Sequence, residues 1–405
     1  MNILVLTSVY PDSENVANEN VTKVVKYFAE SWLGAGHDVF VVHNAHRYPM
    51  FVHRLPKSLK RKIATKINFY IPDYCDVSKK HFNISGVEGI RLPILKLRPH
   101  KKVDDRGAVK QANEIISLLG KRNFVPELII CHWVCPQIQM LSVLKGKWPK
   151  ARTSLVLHGS DYIYDEDFNV KQYLPYVDVL GCRSLTEAQS VKQGLSLQKM
   201  PFVCFSGIPD SYVEGATLLD KKYSNTNPLR ICFVGRLVKY KNVDLLIRAL
   251  SRCVDKCCVL EIIGEGAEKN YLVNLAQELG VANRVTFHGR KSREEVLSLL
   301  KRAHVFAMIS KGEVFGLTYL EAMCASCIPI GSVGEGIDCV IIDGYNGYLV
   351  SPDTEEELAD VISEICRTSK DRLIELATKA FETSKQYTDS KMAEVYLKNV
   401  MEGKR

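Results

Sequence analysis

Glu313 and Glu321 stand with seven residues between them in Lys311-Gly312-Glu313-Val314-Phe315-Gly316-Leu317-Thr318-Tyr319-Leu320-Glu321. The stretch reads as a loop that turns into a helix at Phe315, with Phe315, Leu317, Leu320 and Met323 available to face a core. Gly316 lets a ligand approach the backbone closely. The first amides of a helix have no intrahelical partners and its dipole favours negative charge, so the turn is a natural phosphate seat. Glu313 lies in the loop and Glu321 about two turns into the helix. Carboxylates beside a phosphate site repel phosphate and instead accept from hydroxyls. The pair therefore fits a ligand with hydroxyls at both ends of a phosphate, such as a nucleotide sugar. Taken alone, it fits better a solvated loop acid and a surface helix acid.

A second group strengthens the first. An apolar run, Arg230 to Val234, ends at Gly235-Arg236-Leu237-Val238-Lys239-Tyr240-Lys241-Asn242, just before a helical pattern. Arg236 and Lys241 thus leave the carboxyl end of a predicted strand. A planar guanidinium and a point-charge ammonium both suit a diphosphate. His158 has a matching position in the first half, where the strand Thr153 to Leu157 ends at His158-Gly159-Ser160-Asp161. Gly159 permits close approach of backbone there, and Asp161 could orient or charge the ring.

These residues are positioned by alternating strands and helices. Asn2 to Thr7 reads as a buried strand, Val21 to Leu33 as a helix and Val39 to Val42 as the next strand. Residues 44 to 100 are basic, aromatic and punctuated by proline, and read as an excursion from the sheet. The rhythm returns with a helix at Val109 to Leu119, strands at Leu128 to Cys131, Val177 to Gly181 and Phe202 to Phe205, and a helix at Ile138 to Leu144. Residues 206 to 228 have the composition of a linker. A second series follows, with strands at Arg230 to Val234, Val259 to Ile263, Arg284 to His288, Val305 to Ile309, Ile328 to Ile330 and Gly347 to Val350. The expected fold class is α/β: two Rossmann-like doubly wound parallel-sheet domains facing across a cleft, 1–205 and 206–385, with a C-terminal helix of roughly 386–405 free to pack back on the first.

With 405 residues, 13 cysteines and a formal charge of +8, the composition is that of an ordinary globular protein. No apolar run is long enough to span a bilayer, and Met1 to Thr7 has no basic leader and reads as a first strand. The odd, scattered cysteines fit reduced thiols in a cytoplasm. Cys324-x-x-Cys327 lies in an apolar helix without a second ligand pair and reads as core. Residues 1–210 carry about +9 and the remainder about −1. The excess gathers at Arg54 to Lys66 and Arg98 to Lys102, which fits a solvated face, an anionic membrane surface or an anionic acceptor. No nucleic-acid-binding motif is present.

The chain resembles the family 4 glycosyltransferases of the two-domain GT-B fold. The matching pieces run in order along nearly its whole length: Gly36 to Val39, His158 to Asp161, Val234 to Leu237 with Lys241, Ile263-Gly264-Glu265-Gly266, Phe287 to Arg290, Glu313 to Glu321, Gly334-Glu335-Gly336 and Asp343 to Val350. The resemblance implies that Arg236 and Lys241 hold the donor diphosphate and that Phe315, Gly316 and Leu317 offer it backbone amides. It implies that Glu313 meets hydroxyls of the donor sugar, Glu321 the ribose, and the backbone near Arg290 the base, with His158 across the cleft near the reacting sugar. Such an enzyme moves a hexose from a nucleotide sugar to a glycan or lipid-linked sugar with retained configuration. It needs no cofactor and no metal, because cations and helix amides stabilise the leaving group.

One piece departs from that pattern. Glu19 and Asn20 stand where many members have a Gly-Gly, which points to a differently shaped acceptor loop. Asp165-Glu166-Asp167 matches the D-x-D of metal-dependent transferases but lies in the other half, in an acidic loop that reads as solvated. The competing readings are a GT-B relative with phosphorylase or epimerase chemistry and a non-catalytic partner subunit of a transferase. The expected location is the cytoplasm, peripherally at the inner face of the membrane.

Overall fold

The computed structural model describes residues 1–12, 22–56, 58–60, 78–97, 102–158, 168–214, 222–223, 228–253 and 258–403. Its two compact units are Met1–Arg183 with Glu187–Cys204 and Met392–Arg405, and Ser184–Thr186 with Phe205–Lys391.

The first unit is built on eight strands: β1 Asn2–Thr7, β2 Asp38–Arg47, β3 Lys80–Ile84, β4 Val87–Leu95, β5 Leu128–His132, β6 Arg152–Val156, β7 Val179–Cys182 and β8 Phe202–Val203. Their order is β3-β4-β2-β1-β5-β6-β7-β8. Only β3 runs antiparallel, as a hairpin with β4. Every residue of β5 is buried, as is β1 from Ile3 to Thr7, which is why these strands read as unbroken apolar runs. The helix Asp105–Lys121 buries Ala108, Gln111, Ala112, Ile115 and Leu119, the spacing of one helical face. Its start is fixed by Asp104, whose carboxylate accepts from the Gly107 amide at 3.3 Å. The last helix, Asp389–Glu402, buries Met392, Ala393, Tyr396, Leu397 and Val400. The Trp32 indole donates to the Ala393 carbonyl at 2.9 Å and ties that helix to the first.

The structure corrects the expected excursion at 44–100. β2 continues to Arg47, and β4 pairs with it in parallel from Phe40↔Glu88 to Arg47↔Leu95. Pro93 had argued against a strand, because it cannot donate to a ladder. β3 reaches only to Arg91, and beyond that point no other strand among the described residues pairs with that side of β4, where proline is tolerated. The helix Leu185–Leu195 also went unpredicted.

The second unit has six parallel strands: β9 Leu229–Val234, β10 Cys258–Ile263, β11 Val285–Gly289, β12 Val305–Ala307, β13 Ile328–Ser332 and β14 Tyr348–Val350. Their order is β11-β10-β9-β12-β13-β14. The chain winds outward from β9, then returns to its other side with β12. The first sheet reverses the same way between β1 and β5. Crevices at such reversals, outside the carboxyl ends of the strands, are where doubly wound sheets bind ligands. The described part of the expected linker is anchored in this unit. Ile208 bridges Thr388, and the buried Tyr223 hydroxyl donates to the carbonyls of His304 and Ser326 at 3.0 and 2.9 Å. Cys324 and Cys327 are core thiols that donate to the carbonyls of Tyr212 and Leu300.

Candidate active site

Because all strands of the second sheet are parallel, everything that follows a strand lies along one edge. Arg290 follows β11, Gly264 to Gly266 follow β10, Arg236 follows β9, Glu313 follows β12 and Glu335 follows β13. The reversal between β9 and β12 therefore has Arg236 and Lys241 on one side and Glu313 on the other. Lys241 is buried, and its ammonium is paired with the Glu313 carboxylate. Met308 Sδ lies 3.6 Å from the same nitrogen. Arg236 is exposed and donates to the Tyr240 hydroxyl at 2.9 Å.

The loop bearing Glu313 is held from the next strand over. Both oxygens of Glu335 accept backbone amides, Gly312 at 2.8 Å and Glu313 at 2.6 Å. Charge-assisted bonds of this kind are about twice as strong as neutral ones. Gly336 sits so close that a Cβ there would be 1.9 Å from the Val314 carbonyl oxygen. The Gly334-Glu335-Gly336 piece is thus a clamp on the Glu313 loop. The Gly264-Glu265-Gly266 piece does the same for the loop of Arg236. A Cβ at Gly264 would meet the Gly235 carbonyl oxygen at 1.8 Å, and one at Gly266 would meet that of Leu237 at 2.1 Å.

The helix after Glu313 begins at Leu317 and ends at Cys324, not at Phe315 as expected. Gly316 is the reason: with φ 79° it is left-handed and stands outside the helix as its cap. Glu321 is consequently little more than one turn in. No side chain caps this helix, and the amides of Phe315, Gly316, Leu317 and Thr318 donate to no group among the described residues. Phe315 is buried, its ring tilted against those of Phe205 and Tyr387, so it presents its backbone. Glu321 accepts from Arg293 Nε and Nη2 at 3.1 and 2.8 Å. Arg293 opens a helix whose start is set by a capping box between Ser292 and Glu295. Arg290 is exposed at the edge, next to left-handed Gly289.

The first unit holds the other candidate. His158 follows β6 and is half-buried. Its Nε2 lies 2.9 Å from Nδ1 of His132, the last residue of β5. Its ring stacks on Trp133, with centroids 4.0 Å apart and planes within 14°. His132 in turn meets the Tyr396 hydroxyl of the last helix at 3.4 Å. Burial first and then the Arg183 charge disfavour protonation of His132, and burial, His132 and Arg183 disfavour that of His158. His132 is pushed down to about 3 and His158 well below the ordinary histidine value. The two imidazoles are therefore a neutral pair at physiological pH, in which one nitrogen donates and the other accepts.

His132 and Tyr396 were missed in the sequence. His132 carried the available signal, since it follows an apolar strand as His158 does. Asp161, expected to orient His158, lies outside the described residues, as do Glu19, Asn20 and Asp165 to Asp167.

Residues 217–381 match the family model described as glycosyl transferases group 1. An uncharacterized glycosyltransferase of Methanocaldococcus jannaschii is 36% identical over 295 residues, covering 68% of this chain and 75% of the relative. Two further glycosyltransferases of that organism match at 32% and 27% identity, over 38% and 59% of this chain, which spans only 41% and 65% of their lengths. A glycosyltransferase structure from Rickettsia africae superposes with TM-score 0.68 at 16% identity, over 99% of this chain and 98% of that one. Anabaena HepE, solved in complex with UDP and glucose, does so with TM-score 0.61 at 14% identity, over 99% and 100%. Likeness at these identities establishes the fold, and the sequence match to the archaeal relative establishes the family. The chain belongs to the group 1 glycosyltransferases and has the two α/β units of the GT-B fold.

Proposed function

We propose that the protein transfers a hexose from a nucleoside-diphosphate sugar to a glycan or lipid-linked sugar, with retention and without a metal. The carrying observation is the edge between β9 and β12. There the buried Lys241 is paired with Glu313, two residues ahead of four backbone amides with no partner among the described residues. An anion arriving at those amides competes for Lys241 and frees Glu313 to accept sugar hydroxyls. Arg236 supplies a second cation and Glu321 a carboxylate for the ribose, with the base near Arg290.

In the transfer step the acceptor oxygen bonds to the anomeric carbon as its bond to the phosphate oxygen breaks. The departing phosphate takes the acceptor's proton, on the same face of the sugar. The arriving charge is met by Arg236, Lys241 and the helix amides. His158, neutral and rigidly stacked, is assigned to the reacting sugar. The likeness to HepE makes UDP-sugars the first donors to try.

Among the described residues no helix is long and apolar enough to cross a membrane. We place the protein in the cytoplasm, held peripherally to the inner face of the membrane by its basic first half. Thermal shift with UDP-, GDP- and ADP-sugars tests the donor assignment, since a ligand that binds only the folded state raises the melting temperature. One nucleotide series should do so, and turnover with it should survive EDTA. No shift with any series would refute the donor site, and loss rescued by Mg²⁺ or Mn²⁺ would refute metal independence.

A further inference from the structure

The Glu321 carboxylate is engaged on one side only. Both donors that reach it, Nε and Nη2 of Arg293, bond the same oxygen, Oε1, at 3.1 and 2.8 Å. Oε2 accepts from no group among the described residues. The Glu321 side chain is 16% exposed and that of Arg293 40%. A carboxylate that is mostly covered and filled at one oxygen has one direction left in which to accept, through the other.

The arginine is itself held. It is the first residue of the helix Arg293–Arg302, whose start is fixed by the reciprocal bonds of Ser292 and Glu295. Its guanidinium lies over the Tyr212 ring, 5.2 Å from the centroid. The Tyr212 carbonyl accepts from the Cys324 thiol at 2.9 Å, and Cys324 stands three residues beyond Glu321 on the same helix. Ring, guanidinium and carboxylate thus close into one circuit inside the second unit. A planar cation stacked on a ring and bonded at its edge keeps its orientation, which a lysine ammonium does not. The circuit also lies where a nucleoside belongs. Arg293 is three residues past Arg290, at the end of β11, and Glu321 is little more than one turn from the unpartnered amides after Glu313. At that distance an unpaired carboxylate repels a diphosphate, and the Arg293 charge offsets the repulsion.

We infer that Arg293 is a positioning residue of the donor site: it occupies Oε1 of Glu321, aims Oε2 at the ribose hydroxyls and so makes the site select ribonucleotides over deoxynucleotides. The inference rests on the donor reading above, with Glu321 at the ribose, and adds the residue that makes that carboxylate selective. Arg293 acts through Glu321 and touches no reacting atom, so its effect falls on binding and not on the chemical step.

The test is calorimetry with UDP and 2′,3′-dideoxy-UDP on the full chain, the guanosine or adenosine pair taking their place if that series is the one that raises the melting temperature. The wild type should bind the ribose form roughly 10- to 150-fold more tightly, the range for a hydrogen bond to a charged group. Arg293→Met keeps the apolar stem over Tyr212 and removes both donors, and should bring that ratio within about threefold. Arg293→Lys, a charge without the fork, should fall between the two. In steady-state kinetics Arg293→Met should raise KM for the sugar nucleotide and leave kcat near wild type. An exposed ion pair contributes little to folding, so melting without nucleotide should barely move. Arg293→Gln reads the same ratio if the methionine variant fails to fold. A ratio that survives the loss of Arg293 overturns the inference. So does equal weakening of both nucleotides, a lysine variant no more selective than the methionine one, or a loss confined to kcat. A wild type that binds both nucleotides equally removes Glu321 from the ribose with the phosphate seat intact. A wild type that binds neither, in any base series, refutes the donor site itself.

Discussion

The two sheets share one winding order and carry opposite chemistry at their reversals. In the second unit the edge is ionic: Lys241 against Glu313, Glu335 on two amides, Arg293 on Glu321. In the first, the cluster at His158 is aromatic and its histidines are uncharged: two imidazoles beside the buried Arg183, Trp133 beneath one and Tyr396 against the other. The scaffold supplies a crevice in both cases, and a few residues past each strand decide what it is for. An ionic edge exchanges its internal partners for a charged ligand. A stacked cluster of uncharged imidazoles holds a geometry and has little charge to exchange. The difference therefore predicts that the second unit governs affinity and the first governs rate.

The sharpest way to break that division is His158→Ala. Turnover should fall by roughly 10²- to 10⁴-fold, the range for a group that supports charge or proton movement in a transition state. Binding of the free nucleoside diphosphate should stay near wild type, because Arg236, Lys241 and the amides after Glu313 are intact. Calorimetry beside steady-state kinetics on the same preparation decides it. Near-normal turnover would reduce His158 to a strand-end residue that packs on Trp133.

The reciprocal change is smaller. A hydrogen bond to a charged group contributes about 1.5–3 kcal/mol, so Arg236→Ala should weaken donor binding by roughly 10- to 150-fold. Lys241→Ala should lie at the upper end. It removes a cation and leaves the Glu313 carboxylate, only 19% exposed, facing the phosphate without its partner. Equal affinity in both variants and wild type would move the phosphate elsewhere.

Most of the fold was legible because its signal is local. Buried parallel strands are continuous apolar runs, and their ends are visible as Gly-Arg or His-Gly. Lys241 and Glu313 were both recognised, but not that they are paired, since 71 residues separate them and only the β9–β12 adjacency joins them. Glu335 was visible only as part of a motif. Its work, accepting the amides of Gly312 and Glu313, is set by the step from β12 to β13. The start of the helix at Leu317 turned on a single backbone angle at Gly316. β4 was lost because Pro93 speaks against a strand and nothing local says where β3 stops. His132 is one residue past the apolar run that marked β5, and its contact with Tyr396 spans 264 positions of the chain.

Acidification sharpens the comparison without any mutation. Histidines held neutral in the folded state take up protons only on unfolding, so the unfolded state gains protons as pH falls below their ordinary value of about 6.5. Their contribution is fully present above that pH and declines below it. In the first unit His46 and His132 are pushed down to about 3, and His158 well below the usual value, in each case chiefly by burial. In the second unit His304 is pushed down to about 4, by burial and by the charges of Lys222 and Arg230, against the opposing bond to the Lys222 carbonyl. Each such group costs at most about 1.4 kcal/mol per pH unit once the pH is well below 6.5. Between pH 6.5 and about 4.5 most carboxylates are still ionised and the histidines dominate. The first unit, with three strongly lowered histidines and the lowered His37 to one in the second, should lose stability roughly three times as steeply or more. Hydrogen exchange measured separately on β5–β6 and β9–β10 across this range reads the two slopes. Parallel declines would mean that the His132–His158 pair already takes up a proton in the folded protein. The uncharged histidine pair assigned to the first unit would then be a charged one.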